Sequence, residues 1–398
     1  MNATALDQSR LDVIAKTRSN IFNWRGQFTP QFVDYILDSF AISGQQILDP
    51  FCGSGTVLLE SATKGLPAVG CEINPAAYAM TKFVSLANDN PGSRLESFSR
   101  VEEAILRLAG NYHDKPLFET ESDFRQRYKN LLDFAGDLFT AVERKRDLLI
   151  ALIILIRAES SGRGDLMPVV RRACASVKSD LTSLPHVKPT IRAELCDARE
   201  VHRILRASTD LILTSPPYIN VFNYHQNHRA LLELLGFDLL KVAESEIGSN
   251  RKNRANRFRT VVQYALDMES CLSSFALSLK TGGLLILVVG HQSQVRGIPF
   301  SNSGILCELA QTVGCYTSEG ERHRVFLNRF GQSIREDIII LRYDGRQPAD
   351  GSARRIAETH LERALETADG DPHDDIVEAL SDLPSIMPSQ MFNRKGIL

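Results

Sequence analysis

The chain has 398 residues, 43% of them hydrophobic and 24% charged, and a formal net charge of −2. That length can bury a large core as one elaborated domain or two, and the composition is that of an ordinary soluble globular protein. A chain so close to neutral is not basic as a whole, so a nucleic-acid partner would have to meet a local basic patch.

The seven cysteines are scattered, with no pair at CxxC spacing. They read as reduced thiols of a cytoplasmic protein, without a zinc site. The first residues lack the basic-then-apolar order of a secretory signal. The longest apolar run, Leu148 to Ile156, falls far short of the ~20 residues that cross a bilayer, so no membrane association is expected.

Residues 1–28 are polar and mixed, with the single tryptophan at Trp24. Phe28-Thr29-Pro30 then offers an N-cap at Thr29 and a proline at the first helical position, and Phe32, Tyr35, Ile36 and Phe40 share one helical face. From Gln46 to Glu60 a short apolar strand runs into Asp49-Pro50-Phe51-Cys52-Gly53-Ser54-Gly55-Thr56 and an apolar helix. The two glycines let a ligand approach the backbone, and the helix start offers free N–H groups. Taken alone, such a turn signals a nucleotide-like ligand, and without a Gly-Lys-Ser/Thr it does not read as a phosphate loop.

A second strand, Ala68 to Ile73, ends on Glu72, either an acceptor for a ribose diol or a solvated strand end. A third candidate strand end supplies Asp197 and Ala198, with Asp197 either bonding an adenine amino group or making an ordinary turn. Residues 95–190 between them are too many for one crossover. Phe124, Tyr128, Leu131, Leu132, Ala135, Leu138, Phe139 and Val142 recur at helical spacing, which predicts a helical insertion.

The apolar run Asp210 to Leu213 predicts a buried strand, and Thr214-Ser215-Pro216-Pro217-Tyr218 follows it. Neither proline has an N–H to donate, so the ladder ends there in a stiff loop at a strand's carboxyl end, where open α/β sheets bind ligands. The loop displays a hydroxyl, carbonyl acceptors and an aromatic face, which suits gripping a planar base by its exocyclic amine; a plain turn with an exposed tyrosine is the other reading.

Val221 to Arg229 is rich in aromatics and amides, suited either to nucleic-acid bases or to packing on the protein itself. A helix follows over 230–235. His225 and His228 lack a third ligand in view, so no metal is assigned. Residues 249–259 carry Arg251, Lys252, Arg254, Arg257 and Arg259 with no acid, either a phosphate-binding patch or a solvated loop. A helix over 261–279, a turn at Thr281-Gly282-Gly283, and buried strands over 284–289 and 338–341 follow. Positions 345–398, with ten acidic and six basic side chains, predict a peripheral acidic tail with one helix near Ile356 to Ala368.

Together these motifs resemble the amino-directed DNA methyltransferases, which act on cytosine N4 or adenine N6. Asp49 to Thr56 resembles their S-adenosyl-L-methionine motif, Thr214 to Tyr218 their catalytic motif, and Phe28-Thr29-Pro30 their additional cofactor motif. The resemblance covers roughly residues 25–85 and 190–345. It implies an α/β fold with a doubly wound, mostly parallel seven-stranded sheet and an antiparallel edge hairpin. The cofactor half would lie in 1–94, the insertion in 95–190 as a possible target-recognition region, the catalytic half in 191–344 with the basic loop, and the tail in 345–398.

It also implies that Thr29, Pro30, Asp49, Phe51, Gly53, Ser54, Gly55, Thr56, Glu72, Ile73, Asp197 and Ala198 surround the cofactor. Ser215 and the Pro216 carbonyl would take the amine hydrogens of a flipped base, with Pro217 stiffening the loop and Tyr218 stacking on the base. Serine before Pro-Pro-Tyr is more usual in the cytosine-N4 branch, so N4 is favoured over adenine N6. DNA is the expected partner, with a companion restriction endonuclease in a modification system. An RNA base methyltransferase of the tRNA guanine-amine type is the runner-up; a catalytically decayed binding module is the non-enzyme reading.

Overall fold

The sheet runs in the order β3-β2-β1-β4-β5-β9-β8, built from β1 (Ile47–Asp49), β2 (Ala68–Glu72), β3 (Ile191–Leu195), β4 (Thr209–Thr214), β5 (Leu279–Gly290), β8 (Tyr316–Leu327) and β9 (Ser333–Tyr343). A separate hairpin pairs β6 (Gln292–Val295) with β7 (Ile298–Ser301). The computed structural model describes all residues except 1–5, 15, 113–120, 162–164, 220–223, 250–252, 254, 328–330 and 393–398, and only the backbone of 121–125. Strands β3, β2, β1, β4 and β5 are parallel, and β9 enters antiparallel between β5 and β8. This is the doubly wound α/β sheet with its antiparallel edge that the resemblance implies.

Period-two alternation divides the strands between two cores. Ile47, Leu211, Leu213, Ile286, Val288, Ile338 and Ile340 face one core, while Leu48, Ile212, Leu285, Leu287, Ile339 and Leu341 face the other. The first is covered by helices Pro30–Phe40, Thr56–Thr63 and Pro75–Val84 and by the insertion. The second is covered by Arg259–Ser278, Asn302–Val313 and Ala353–Leu365. The strand order reverses direction between β1 and β4, and both motif loops leave the sheet there.

Among the described residues between 95 and 190, helices Glu121–Ala141, Lys145–Ser161 and Leu166–Ser183 follow Pro91–Ala109. Arg94 pins this layer: it is fully buried, and its guanidinium donates to the carbonyls of Ala87, Asp89, Leu184 and Pro185. Backbone carbonyls thus satisfy a charge that no carboxylate accompanies in these bonds.

Three readings change. The turn expected at Thr281-Gly282-Gly283 lies within β5, where a register irregularity between Thr209 and Leu211 absorbs the extra residues. Strand β8 was unmarked by any apolar run, because Glu319, Glu321, Arg322, His323 and Arg324 lie along an edge strand with much of its length exposed. The tail is not peripheral. Ile356, Ala357, Leu361, Ile376 and Ala379 are buried, and helix Ala353–Leu365 packs on Arg259–Ser278. The buried Glu269 carboxylate accepts the N–H groups of Gly351, Ser352 and Ala353, neutralising donors that a helix start leaves open.

Glu269→Ala is expected to cost about 1–3 kcal/mol of unfolding free energy through those stranded donors. Urea unfolding checks this, and an unchanged midpoint would return the tail to the periphery.

Candidate active site

Both motif loops open into one cleft of about 1110 Å³, its open mouth included. Its lining includes Asp49, Phe51, Cys52, Gly53, Ser54 and Thr56 from the glycine turn, Glu72 and Ile73 from the end of β2, Asp197 and Ala198 beyond β3, and Ser215, Pro216, Pro217 and Tyr218 beyond β4. Thr29, Pro30 and Gly55 are not among the lining residues, although Phe28 is.

The glycine turn needs its glycines. Gly53 and Gly55 both have positive φ, 50° and 85°. A Cβ at Gly55 would also lie 3.1 Å from the Thr81 backbone. Gly55 therefore serves the turn's shape from behind. Thr29 stands at the N-cap position of helix Pro30–Phe40 without a side-chain capping bond; its Oγ1 instead accepts from Arg324 at 3.5 Å.

Asp49 joins the two loops. The Thr214 hydroxyl donates to its Oδ1 at 2.6 Å, and the Phe51 N–H donates to the same oxygen at 3.2 Å. Burial pushes the Asp49 carboxyl up to about 7, opposed by these bonds. Glu72 is also pushed up to about 7, by burial first, with the N–H bonds opposing. Its Oε1 accepts from the N–H groups of Ile73 and Asn74, and its Oε2 accepts from that of Gly53. A carboxylate offers about four acceptor directions, so roughly one remains for a ligand hydroxyl.

Asp197 differs. Its oxygens accept from the Arg199 N–H, Nε and Nη2 and from the Phe392 N–H, so the expected adenine acceptor is already occupied by four donors.

Tyr218 lies against the end of β5: a Cβ at Gly290 would sit 2.9 Å from its Cε2. Its hydroxyl is 3.5 Å from Ser215 Oγ and donates to Glu336 at 3.4 Å. Glu336 is held by the buried Arg324, which also stacks over Phe32 with its guanidinium carbon 4.0 Å from the ring centroid. The tyrosine is therefore braced from behind as one wall of the cleft.

Sequence reasoning missed a further part of the lining. Trp24, Arg25, Gly26 and Gln27 line the cleft, as do Tyr224, Ser245, Glu246 and Ile247. Trp24 stacks on Tyr224 with centroids 5.9 Å apart, and Gln27 accepts from the Ser54 hydroxyl at 2.7 Å. Glu246 accepts from the backbone N–H of His225 and meets its Nδ1 at 2.8 Å. The lone tryptophan ahead of Phe28-Thr29-Pro30 and the aromatic-amide stretch were the available signals.

Of the basic loop, Arg251, Lys252 and Arg254 lie outside the described residues. Arg257 is exposed. Arg259, expected among the DNA contacts, instead opens a helix and pairs with Glu378 and Asp382 of the tail, so its charge is already compensated within the chain. Phe222 and its neighbours from 220 to 223 are likewise outside the described residues.

The chemistry of the lining fits S-adenosylmethionine: a backbone cradle, a carboxylate with about one acceptor direction left, an aromatic wall and carboxylates facing a cationic ligand. Among the described residues, no group of three or more His, Cys, Asp or Glu is arranged to hold a metal ion. No helix among them is long and apolar enough to cross a membrane.

A family model described as DNA methylase matches residues 8–83. The type II methyltransferase M.MjaII of Methanocaldococcus jannaschii is 40% identical over 72% of this chain and 74% of its own length. The type II methyltransferase M.BsoBI of Geobacillus stearothermophilus is 24% identical over 58% of this chain, a match that spans 55% of the relative. Among solved structures, TrmN from Thermus thermophilus covers 80% of this chain and 50% of its own at 15% identity and a TM-score of 0.31. A SAM-dependent methyltransferase from Methanosarcina mazei covers 77% of this chain and 96% of its own at 13% identity and a TM-score of 0.34.

A folded-state carboxyl raised to about 7 contributes stability to the ligand-free protein fully below its unfolded value of 4.5 and loses it as pH rises through about 7. Binding of a cofactor hydroxyl to the ionised Glu72 carboxylate would run the other way. Affinity for S-adenosylmethionine should therefore rise between pH 6 and pH 8, and Glu72→Gln should bind more weakly with a shallower profile. Calorimetric titration across that range checks it; a flat wild-type profile would detach Glu72 from the ligand. Gly290→Ala should displace the Tyr218 ring and cut methyl transfer about tenfold or more while leaving cofactor affinity within about twofold. Equal loss of both would assign Gly290 to the fold.

Proposed function

The chain belongs to the N6/N4 DNA methylase family, and from that membership we propose that it transfers the methyl group of S-adenosylmethionine to the exocyclic N4 of a flipped cytosine in DNA. The observation that carries this reading is the shared cleft, in which the loop bearing Ser215 faces the glycine turn and Asp49 ties one to the other.

When bound, the cofactor supplies a methyl carbon on a positively charged sulfur. A base amine is a poor nucleophile because its lone pair is conjugated into the ring, and inside a stacked duplex it cannot be reached, so the base is extruded. Ser215 Oγ and the Pro216 carbonyl accept the amine hydrogens, which favours a pyramidal nitrogen as positive charge develops. Pro217 keeps this loop from relaxing. Tyr218, held by Gly290 behind it and by Glu336 at its hydroxyl, offers its ring to the base.

Serine at the head of the Pro-Pro-Tyr loop supports cytosine over adenine. DNA phosphates would meet Arg257, which is exposed, together with the cations Arg251, Lys252 and Arg254 of the same stretch. The insertion supports target reading from a second side: Tyr128 donates to Glu159, and Glu159 pairs with His228 next to the cleft's Tyr224 segment. Type II methyltransferase relatives support a role in modification beside a restriction endonuclease that reads the same sequence.

Incubation with duplex DNA and methyl-labelled cofactor, followed by digestion to nucleosides, should place the label on cytidine N4. Label on adenine N6 would move the enzyme to the other branch, and label only with RNA would overturn the DNA assignment. Ser215→Ala should lower kcat by about 10²–10³ with cofactor affinity retained; undiminished transfer would remove Ser215 from the chemistry.

A further inference from the structure

The cofactor cleft has a second layer that no motif marks. Arg199 lies just beyond Asp197 and Ala198, and its side chain is 3% exposed. All five guanidinium N–H groups are engaged. Nε and one Nη2 hydrogen donate to Asp197 at 2.9 and 2.7 Å, and Nη1 donates to Asp267 at 2.8 Å. The remaining two donate to the backbone carbonyls of Ser389 and Gln390 at 2.7 and 2.8 Å. An arginine so placed is a rigid five-point fork.

The segment carrying those carbonyls comes from the far end of the chain and is tied on both sides of the cleft. On one side the Phe392 N–H donates to Asp197 Oδ2 at 3.1 Å, and the Ser389 N–H donates to Asp267 at 2.9 Å. On the other, the Gln390 N–H donates to the Glu244 carbonyl at 3.2 Å, and the Ser389 hydroxyl donates to the Glu246 carbonyl at 3.4 Å. Asp197 and Ala198 line the cleft from one wall, and Ser245, Glu246 and Ile247 line it from another. Phe392 is itself buried and anchors the segment in the main core.

We infer that Arg199 and the segment Ser389–Phe392 are positioning residues for the cofactor's adenine, a strap that fixes the Asp197–Ala198 wall against the Ser245–Ile247 wall. This rests on the cofactor reading above. It also changes the part Asp197 plays. With its acceptor directions filled by Arg199 and Phe392, the carboxylate sets the position of the backbone around Ala198, and that backbone meets the adenine edge. The strap touches neither the Ser215 loop nor the described part of the basic loop in any of these bonds, so its influence falls on the cofactor and not on DNA.

The test uses the full-length protein and two substitutions. Phe392→Pro deletes the N–H that meets Asp197 together with the buried ring that anchors the segment, and Arg199→Lys keeps the charge but loses the fork. Calorimetric titration with S-adenosylhomocysteine and with S-inosylhomocysteine measures affinity and base preference; melting temperature and cofactor-free DNA affinity are read beside them. Each variant should bind S-adenosylhomocysteine more weakly by about tenfold or more, at least the scale of one lost hydrogen bond to a charged group. The preference for adenine over hypoxanthine should narrow, with DNA affinity unchanged.

Unchanged cofactor affinity in a folded variant overturns the strap, and so does an equal loss of both analogues, which would signal general loosening. Should Arg199→Lys not fold, Phe392→Pro decides alone. Wild-type protein that binds neither analogue would instead overturn the cofactor reading itself, an outcome distinct from a variant-specific loss.

Discussion

The Thr214 hydroxyl on Asp49 is the bond on which the shape of the cleft depends. Strands β1 and β4 are neighbours in the sheet but 165 positions apart in sequence, and the parallel ladder alone fixes only their register. Beyond Leu48 and Ile212 the two strands no longer pair with each other, although Asp49 still pairs with Gly70 and Thr214 with Leu287. One buried, charge-assisted bond across that gap ties the first residue of the glycine turn to the residue before Ser215. Its cost is a carboxylate held in a site that resists ionisation. The glycines, the prolines and the tyrosine then act from a fixed origin.

How much of this could be read in advance followed the physics of each segment. The buried parallel strands are continuous apolar runs, and Asp210 to Leu213 is as plain in sequence as in the sheet. The motif loops were legible because glycine and proline encode backbone shape directly. Trp24 and Tyr224 were not, since their place in the cleft is set by tertiary packing between segments about 200 residues apart. Strand β8 was hidden by its charges. The tail misled because its acidic count describes its outer surface, while its inward face carries a spaced set of apolar residues, Ile356, Leu361, Ile376 and Ala379, too sparse to dominate composition.

Charge in this molecule is arranged by place and not by total. Arg324, Arg199 and Arg94 are all buried, and each does a different job: bracing Tyr218 through Glu336, holding Asp197 beyond β3, and bonding helical layers through carbonyls. Arg259, drawn from the most basic stretch, is neutralised by the most acidic one. The insertion and the tail, the two regions outside the motif resemblance, each reach the cleft's surroundings, one through Glu159 and His228 and the other through Ser389 to Phe392.

Trp24 is the one indole in the chain, and it stands on the cleft wall in a ring pair with Tyr224. Ultraviolet emission above the tyrosine band therefore originates at a single address. The molecule carries its own optical probe of that cavity, with no second indole elsewhere in the chain to dilute the signal.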